Sequence, residues 1–452
     1  MYRKEFFDLL KLAAPLVLAQ LAQNTASFVD ALMVARLGNE SLAAITLGST
    51  IFHLANIVLC GVMLAVSPMV SQAMGSGDQE TANQSLCQSM WLGIVLFLPA
   101  FILYWNAYPL LIWLGQSEAT AEASSGYLRA ISWGALPSIW LMGLRGFLEG
   151  NSNTRPIMVI SFGGVLLNIV LNYLLMFGKF GFPELGLVGT GYATSIVYLT
   201  TFAAAFAYVR FRYQDHNVYR GLLQFNWQRI CELLRIGIPI GFTLGFEMSM
   251  FSAAAIAMGT LGENQLAAHH IALQTASISF MVPLGLGIAA SVRVGRAIGQ
   301  ENPVAAKVAG HVGMLSCVGV MCVSGLVFWL FPRLIIGMYI DPAAAANAEV
   351  VAFATSFLGI AAVFQVVDGL QVGANGSLRG LKDTTVAMVL TFLSYCIIGM
   401  LAGYLLCFVA EMGGVGLWWG MTFGLAAASI ALSVRFCWQV GTLVQRQDAL
   451  RN

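Results

Sequence analysis

Long apolar runs separated by short polar breaks set the pattern of this chain. Twelve runs stand out, at residues 8–34, 45–72, 86–112, 123–147, 156–178, 187–210, 232–258, 266–291, 305–330, 346–377, 384–409 and 414–438. Each exceeds the roughly 20 residues that a helix needs to cross ~30 Å of hydrocarbon. Inside lipid a lone segment can satisfy its own backbone only as a helix. The pattern therefore predicts an all-α polytopic membrane protein with twelve transmembrane helices. Most runs carry Gly, Ala and Ser, the small residues that let membrane helices approach closely. The one long polar break near the middle, residues 211–235, predicts two six-helix bundles: residues 1–211 and 232–452, joined by a linker over 212–231.

The halves repeat each other. A shift of 224 residues carries Pro15 onto Pro239, Leu37-Gly38 onto Leu261-Gly262 and Leu42-Ala43-Ala44 onto Leu266-Ala267-Ala268. The same shift carries Ser67 onto Ser291 and Gly75 onto Gly299. Further on, Arg145-Gly146 corresponds to Arg379-Gly380, and Gly186-x-x-Gly189 to Gly413-x-x-Gly416. Six spans followed by six spans keep both copies in one orientation. The repeats are therefore parallel, about an axis along the membrane normal, an arrangement used by transporters that bind at the interface of their halves.

Composition agrees. The 452 residues are 58% hydrophobic and only 10% charged, against about 25% charged in soluble domains; mean hydropathy is +0.79. A net charge of +1 gives no reason to expect nucleic acid or an acidic partner. The basic residues are placed very unevenly. Arg3, Lys4, Lys11, Arg145, Arg155, Arg210, the linker arginines, Arg293, Arg296, Lys307, Arg379, Lys382, Arg435, Arg446 and Arg451 fall on one side; Arg36, Lys179 and Arg333 fall on the other, and Arg129 lies near that end of span four. The rich side is expected to be cytoplasmic, with both termini there, in the cytoplasmic (inner) membrane. Met1-Tyr-Arg-Lys-Glu runs into the first span without a small-residue cleavage site, so that span is expected to stay. The eight cysteines lie in apolar runs or beside basic loops without metal-ligand spacing, and read as small packing residues.

Three carboxylates sit well inside predicted spans: Asp30, Glu247 and Asp368. Glu247 is the only ionisable side chain between Ile236 and Leu261. A carboxylate at that depth costs roughly 2.5–3.5 kcal/mol on insertion scales, so it is expected to face a polar cavity. Glu247 lies 12 residues after Arg235, and Asp368 lies 11 before Arg379. At ~1.5 Å per residue, both come out about 17–18 Å from the basic face, on spans seven and ten of one half. Two acids at one depth either share a cation or force a proton onto one of them. Either way the pair reads as a monovalent-ion switch. Asp30 lies in the other half, where Asn168 and Asn172, four apart on one helical face, are placed to supply amide oxygens beside it. The repeat counterpart of Glu247 is Gln23 and that of Asp30 is Ala254, so the halves carry unlike sites.

Other features read more simply. His269-His270 point to different faces of span eight, one to pack and one to reach water. His53 and His311 are single, Met248 and Met250 fill the core, and Pro15 and Pro239 are expected to bend spans one and seven. The chain has no Walker sequence, no His-Glu-x-x-His and no Ser/His/Asp grouping, so no enzyme is expected.

The sequence resembles the multidrug and toxic compound extrusion (MATE) family, in its NorM-type branch, over essentially all twelve spans. The resemblance is carried by Ala14-Pro15, Phe28-Val29-Asp30, Leu-Gly-x-x-x-Leu-Ala-Ala in both halves and Gly245-Phe246-Glu247. Pro283-Leu-Gly-Leu-Gly-Ile-Ala-Ala-Ser291, Asp368-Gly-Leu-Gln371 and Leu378-Arg379-Gly380 extend it. The resemblance implies two pseudo-symmetric bundles around a central cavity, exporting organic, often cationic, compounds in exchange for inward Na⁺ or H⁺. It implies a cation site at Glu247 and Asp368, with Asp30 as the acid of the first half and Asn168 and Asn172 as its polar neighbours. Several relatives have a Tyr one turn before the span-ten Asp where this chain has Phe364; a Phe face attracts a cation weakly but offers no hydroxyl. Beyond the coupling ion no cofactor is expected, and the partners are small organic molecules and the bilayer, with no ATPase subunit and a monomeric state. The alternative is a lipid-linked oligosaccharide flippase of the same broad superfamily, disfavoured by the lack of a mid-span Lys or Arg.

Overall fold

The computed structural model describes residues 1–35, 39–214 and 218–451. Arg36 and the Leu37-Gly38 end of one repeat match lie outside the described residues. Apolar runs become helices almost end for end. They are α1 Tyr2–Ala35, α2 Asn39–Met63, α3 Val66–Ser76, α4 Gln79–Trp105, α5 Ala107–Trp113, α6 Glu118–Gly150, α7 Arg155–Phe177, α8 Gly186–Arg212, α9 Trp227–Leu261, α10 Glu263–Gly299, α11 Pro303–Leu330, α12 Pro332–Ile336, α13 Ala348–Gly380, α14 Thr384–Phe392, α15 Met400–Tyr404 and α16 Gly413–Arg451. No strand occurs among the described residues. Two π-helical stretches, Leu393–Gly399 and Leu405–Val409, flank α15 and carry the eleventh span through without a break.

Among the described residues, ten of the spans are long and apolar enough to cross a membrane by length and composition. The two other long helices, α1 and α6, have 34 and 33 residues. In α6, Ser124, Ser125, Arg129 and Arg145 interrupt the apolar run.

Contacts divide the chain into two compact units: unit 1, Met1–Val17 with Phe242–Asn452, and unit 2, Leu18–Gly241. The boundaries differ from the expected halves 1–211 and 232–452. They fall inside α1 and α9, two residues after Pro15 and Pro239, at positions related by the same 224-residue shift. Both helices run on through their proline. Side-chain pairing accounts for the exchange. In unit 1, Arg293 of α10 donates from Nε to Glu5 Oε1 at 2.7 Å and from Nη2 to Asp8 at 3.4 Å. In unit 2, Arg229 at the start of α9 donates to Thr81 Oγ1 of α4 at 2.9 Å. The expected linker 212–231 is likewise no free tether: residues 218–223 form a 3₁₀ turn bonded to α4, through Trp91 Nε1 to Leu222 O at 2.7 Å.

The repeat is visible in the packing. A Cβ on Gly146 would lie 3.1 Å from the Ser67 nitrogen, and one on Gly380 would lie 2.6 Å from the Ser291 oxygen; Ser67 and Ser291 are repeat counterparts. Gly186 and Gly413 open α8 and α16 with φ of 54° and 56°, a left-handed conformation open to glycine at no steric cost. The glycines three residues on then close against the preceding helical segment, Gly189 on Leu175 and Gly416 on Leu406. Each unit has its own apolar core. Unit 2 gathers Phe52, Tyr104, Leu128 and Tyr127, and unit 1 gathers Trp418, Phe357, Phe364 and Tyr395.

Candidate functional sites, one in each unit

In unit 2 the polar positions of α1, α6 and α7 face a shared cavity of about 300 Å³. Asp30, Asn56, Ser138, Asn168, Gln23 and Arg145 supply its polar lining, with leucine, isoleucine and valine over much of the rest. Asp30 is half-buried, and Asn168 and Asn172 are 4% and 0% exposed. The Asn172 Nδ2 donates to Asp30 Oδ1 at 2.5 Å and to Asn168 Oδ1 at 3.3 Å. The structure thus brings the three predicted residues together, but the amide gives Asp30 its N–H rather than its oxygen. The oxygens Asn172 Oδ1 and Asn56 Oδ1 are buried without hydrogen-bond partners. Tyr198, also on the cavity wall, and Tyr127 lie within electrostatic range of Asp30.

Sequence reading places Arg145 at the basic end of span four; α6 continues past it to Gly150, and the guanidinium is buried, 7% exposed. It donates from Nε to Glu149 Oε1 at 2.9 Å, from Nη2 to Gln20 at 2.8 Å and from Nη1 to Gln23 at 3.4 Å. A basic side chain therefore does border the cavity, with its charge answered by a carboxylate one helical turn away.

In unit 1, Glu247 projects from α9 and Asp368 from α13, within charge–charge reach of each other. Asp368 is buried at 5% exposure. Glu247 is also within reach of Arg379, which lies eleven residues further along α13. Glu247 thus interacts with both ends of this polar stripe, and the Arg379 Nε is buried without a hydrogen-bond partner. Sequence reading missed Tyr395. It sits in the π-helical stretch Leu393–Gly399, fully buried, within reach of both acids and beside Gln371. Tyr395 Oη lies beside the Gln371 side chain, and both residues are buried. Carboxylates with a neutral hydroxyl in range are the oxygen chemistry that suits a hard cation. π-Helical turns occur frequently at functional sites, though no period in the sequence marks this one.

Phe364 is 2% exposed, with its ring set edge-on to Phe251 at 6.1 Å and to Trp418 at 5.8 Å. It belongs to the aromatic core. The histidine pair divides as expected: His269 is buried against Trp418, and His270 is exposed. Among the described residues no group of three or more His, Cys, Asp or Glu side chains converges as a metal centre.

The MatE family model matches residues 15–174 and 239–405, one stretch in each repeat. A "Probable multidrug resistance protein NorM" of Mesorhizobium japonicum is 39% identical over 440 residues, covering 96% of this chain and 94% of the relative. The "Multidrug resistance protein NorM" of Burkholderia vietnamiensis is 39% identical over 442 residues, covering 97% and 95%. Among solved structures, an outward-facing MATE transporter of the MOP superfamily superposes with a TM-score of 0.88 at 22% identity, covering 98% and 97%. The eukaryotic MATE transporter AtDTX14 superposes with a TM-score of 0.84 at 21% identity, covering 98% and 99%. With both repeats matched and relatives alike over nearly their whole length, the chain belongs to the MATE family, in its NorM-type branch.

Proposed function

We propose that this protein exports organic, often cationic, compounds by secondary antiport, driven by Na⁺ or H⁺ entering through the acids of unit 1. The observation that carries this reading is that Glu247 and Asp368, from two helices, lie within electrostatic range of each other inside a membrane-spanning unit. A cation bound there relieves the repulsion between two carboxylates, and its release restores it. Coupling between the ion and the exported compound is reciprocal, typically 1–3 kcal/mol. Each positive charge carried inward gains about 2.3 kcal/mol per 100 mV of membrane potential. The unit 2 cavity, with Asp30 held by Asn172, suits a cationic organic molecule, and its size is at the lower end of the roughly 300–1,000 Å³ common for ligand pockets.

The basic bias along the chain supports an inner-membrane protein with cytoplasmic termini. An anionic lipid-linked cargo suits the unit 2 cavity less well, because Arg145 is already paired with Glu149 and Asp30 remains. The test is uptake of a fluorescent organic cation into everted vesicles under a Na⁺ gradient or a pH gradient imposed separately. Glu247→Gln and Asp368→Asn are each expected to abolish uptake while the protein still inserts. Unchanged uptake in both variants removes the mechanism.

A further inference from the structure

Three adjoining hollows on unit 2 meet at one side chain, Gln84 near the start of α4. One holds Phe225 and Trp227, one runs to Arg220, and one runs to Arg235. They open where α8 ends at Arg212 and α4 and α9 begin, at the boundary between span and water. The walls are held in place. Gln88 of α4 donates from Nε2 to Gln224 O at 2.7 Å and accepts at Oε1 from the Asn226 N–H at 3.0 Å, and Cys87 Sγ reaches Val218 O at 3.2 Å.

Two features of this cleft stay open to the outside. The first is an aromatic platform: Trp91 lies edge-on to Phe225 at 6.3 Å, and Phe225 stacks on Trp227 at 6.3 Å. Their exposures of 37%, 58% and 64% leave large apolar surface uncovered. Aromatic rings at this depth sit among lipid head groups. The second is charge. Arg229 is tied to Glu232 and Thr81, and Glu80 accepts from Gln84. Arg220 and Arg235, both exposed, take part in no ion pair among the described residues.

We propose that this cleft binds the head group of an anionic phospholipid with a hydroxylated head, of the phosphatidylglycerol class. Arg220 and Arg235 hold the phosphodiester, since guanidinium groups match phosphate oxygens in a fork. The amides of Gln84, Gln224 and Asn226 bond the head-group hydroxyls. Phe225 and Trp227 lie along the glycerol backbone and the first methylenes. The lipid then sits against the segment that joins the repeats. This inference is independent of the ion and of the exported compound, and needs only α4, α8 and α9 to cross a bilayer.

The test is native mass spectrometry of the full chain released from detergent with equimolar phosphatidylglycerol and phosphatidylcholine, and in a separate arm with soluble glycerophosphate. Phosphatidylglycerol adducts are expected to exceed phosphatidylcholine adducts about five-fold or more. Arg220→Gln with Arg235→Gln is expected to remove that preference, and so is Trp227→Ser. Arg333→Gln, an equal loss of charge on an exposed residue elsewhere, is expected to leave it intact. Equal retention of the two lipids, or a preference that survives the double variant, overturns the proposal. Glycerophosphate binding as tightly as the lipid also overturns it, by showing a phosphate site that does not read the membrane.

Discussion

Arg145 Nη1 donates to Gln23 at 3.4 Å, and Gln23 occupies the place that Glu247 holds in the second repeat. The first repeat saturates its arginine with Glu149, Gln20 and Gln23. In the second, the residue four beyond Arg379 is Asp383, and that carboxylate pairs instead with Arg435 at 2.7 Å. Arg379 is left with an unpartnered Nε and with Glu247 in reach. One position has thus become a fixed structural knot in unit 2 and a charge within reach of Glu247 in unit 1. Arg145→Met is expected to destabilise the protein by about 3–5 kcal/mol, because Glu149 is then buried and unpaired. Arg145→Met with Glu149→Met is expected to recover most of that loss. Thermal unfolding of the purified variants measures both.

The spans were legible because lipid permits little besides a helix, so an apolar run translates directly into one. The acids were legible because each stands alone in such a run. Asn168 and Asn172 were legible from their four-residue spacing, although which amide atom meets Asp30 depends on side-chain rotation. Tyr395 was hidden: a tyrosine in an apolar run is ordinary, and π-helical turns set the direction it faces. The burial of Arg145 was hidden, because a basic residue near the end of a span can face water or the bundle, and the partners Gln20, Gln23 and Glu149 decide which. The exchange of helix starts between units rests on Glu5 meeting Arg293, 288 positions away, a pairing that no local pattern encodes.

Asn172 holds Asp30 through its buried amide, with Asn168 as a second amide beside the carboxylate. Asn172→Leu removes that donor and leaves the carboxylate without it, at a cost of about 1–3 kcal/mol for a buried group deprived of its partner. Efflux of an organic cation is expected to fall by about 5- to 150-fold, with insertion unchanged. Asn172→Asp, which places a second acid against the first, is expected to be at least as damaging. Initial rates in everted vesicles, normalised to the amount of protein inserted, give the comparison.

Asp78 caps α4, accepting the Thr81 N–H at 2.9 Å. The Thr81 hydroxyl and then its N–H hold this carboxyl below the usual carboxylate range. The folded value is depressed, so the stabilisation is present above the unfolded value of about 3.9 and is lost as pH falls through the folded one. Asp78→Ala is expected to cost about 1 kcal/mol at neutral pH. The difference between variant and parent is expected to shrink below about pH 4 in unfolding measured across pH.

Tyr395 offers the sharpest separation between the two candidate ions. A proton needs one carboxylate and gains little from a neutral oxygen nearby. A hard metal cation is held by several oxygens at once, and Tyr395 Oη is a neutral oxygen within range of both Glu247 and Asp368. Tyr395→Phe deletes one oxygen and keeps the ring, 0% exposed, in the aromatic core. If Na⁺ is carried, the half-saturating Na⁺ concentration is expected to rise about five-fold or more, a loss of roughly 1 kcal/mol, while the maximal rate at saturating Na⁺ stays near the parent's. If H⁺ is carried, the pH dependence of uptake is expected to stay within a few tenths of a unit of the parent's. A fall in maximal rate with no change in half-saturation would instead place Tyr395 in the moving parts of unit 1 rather than in its cation shell.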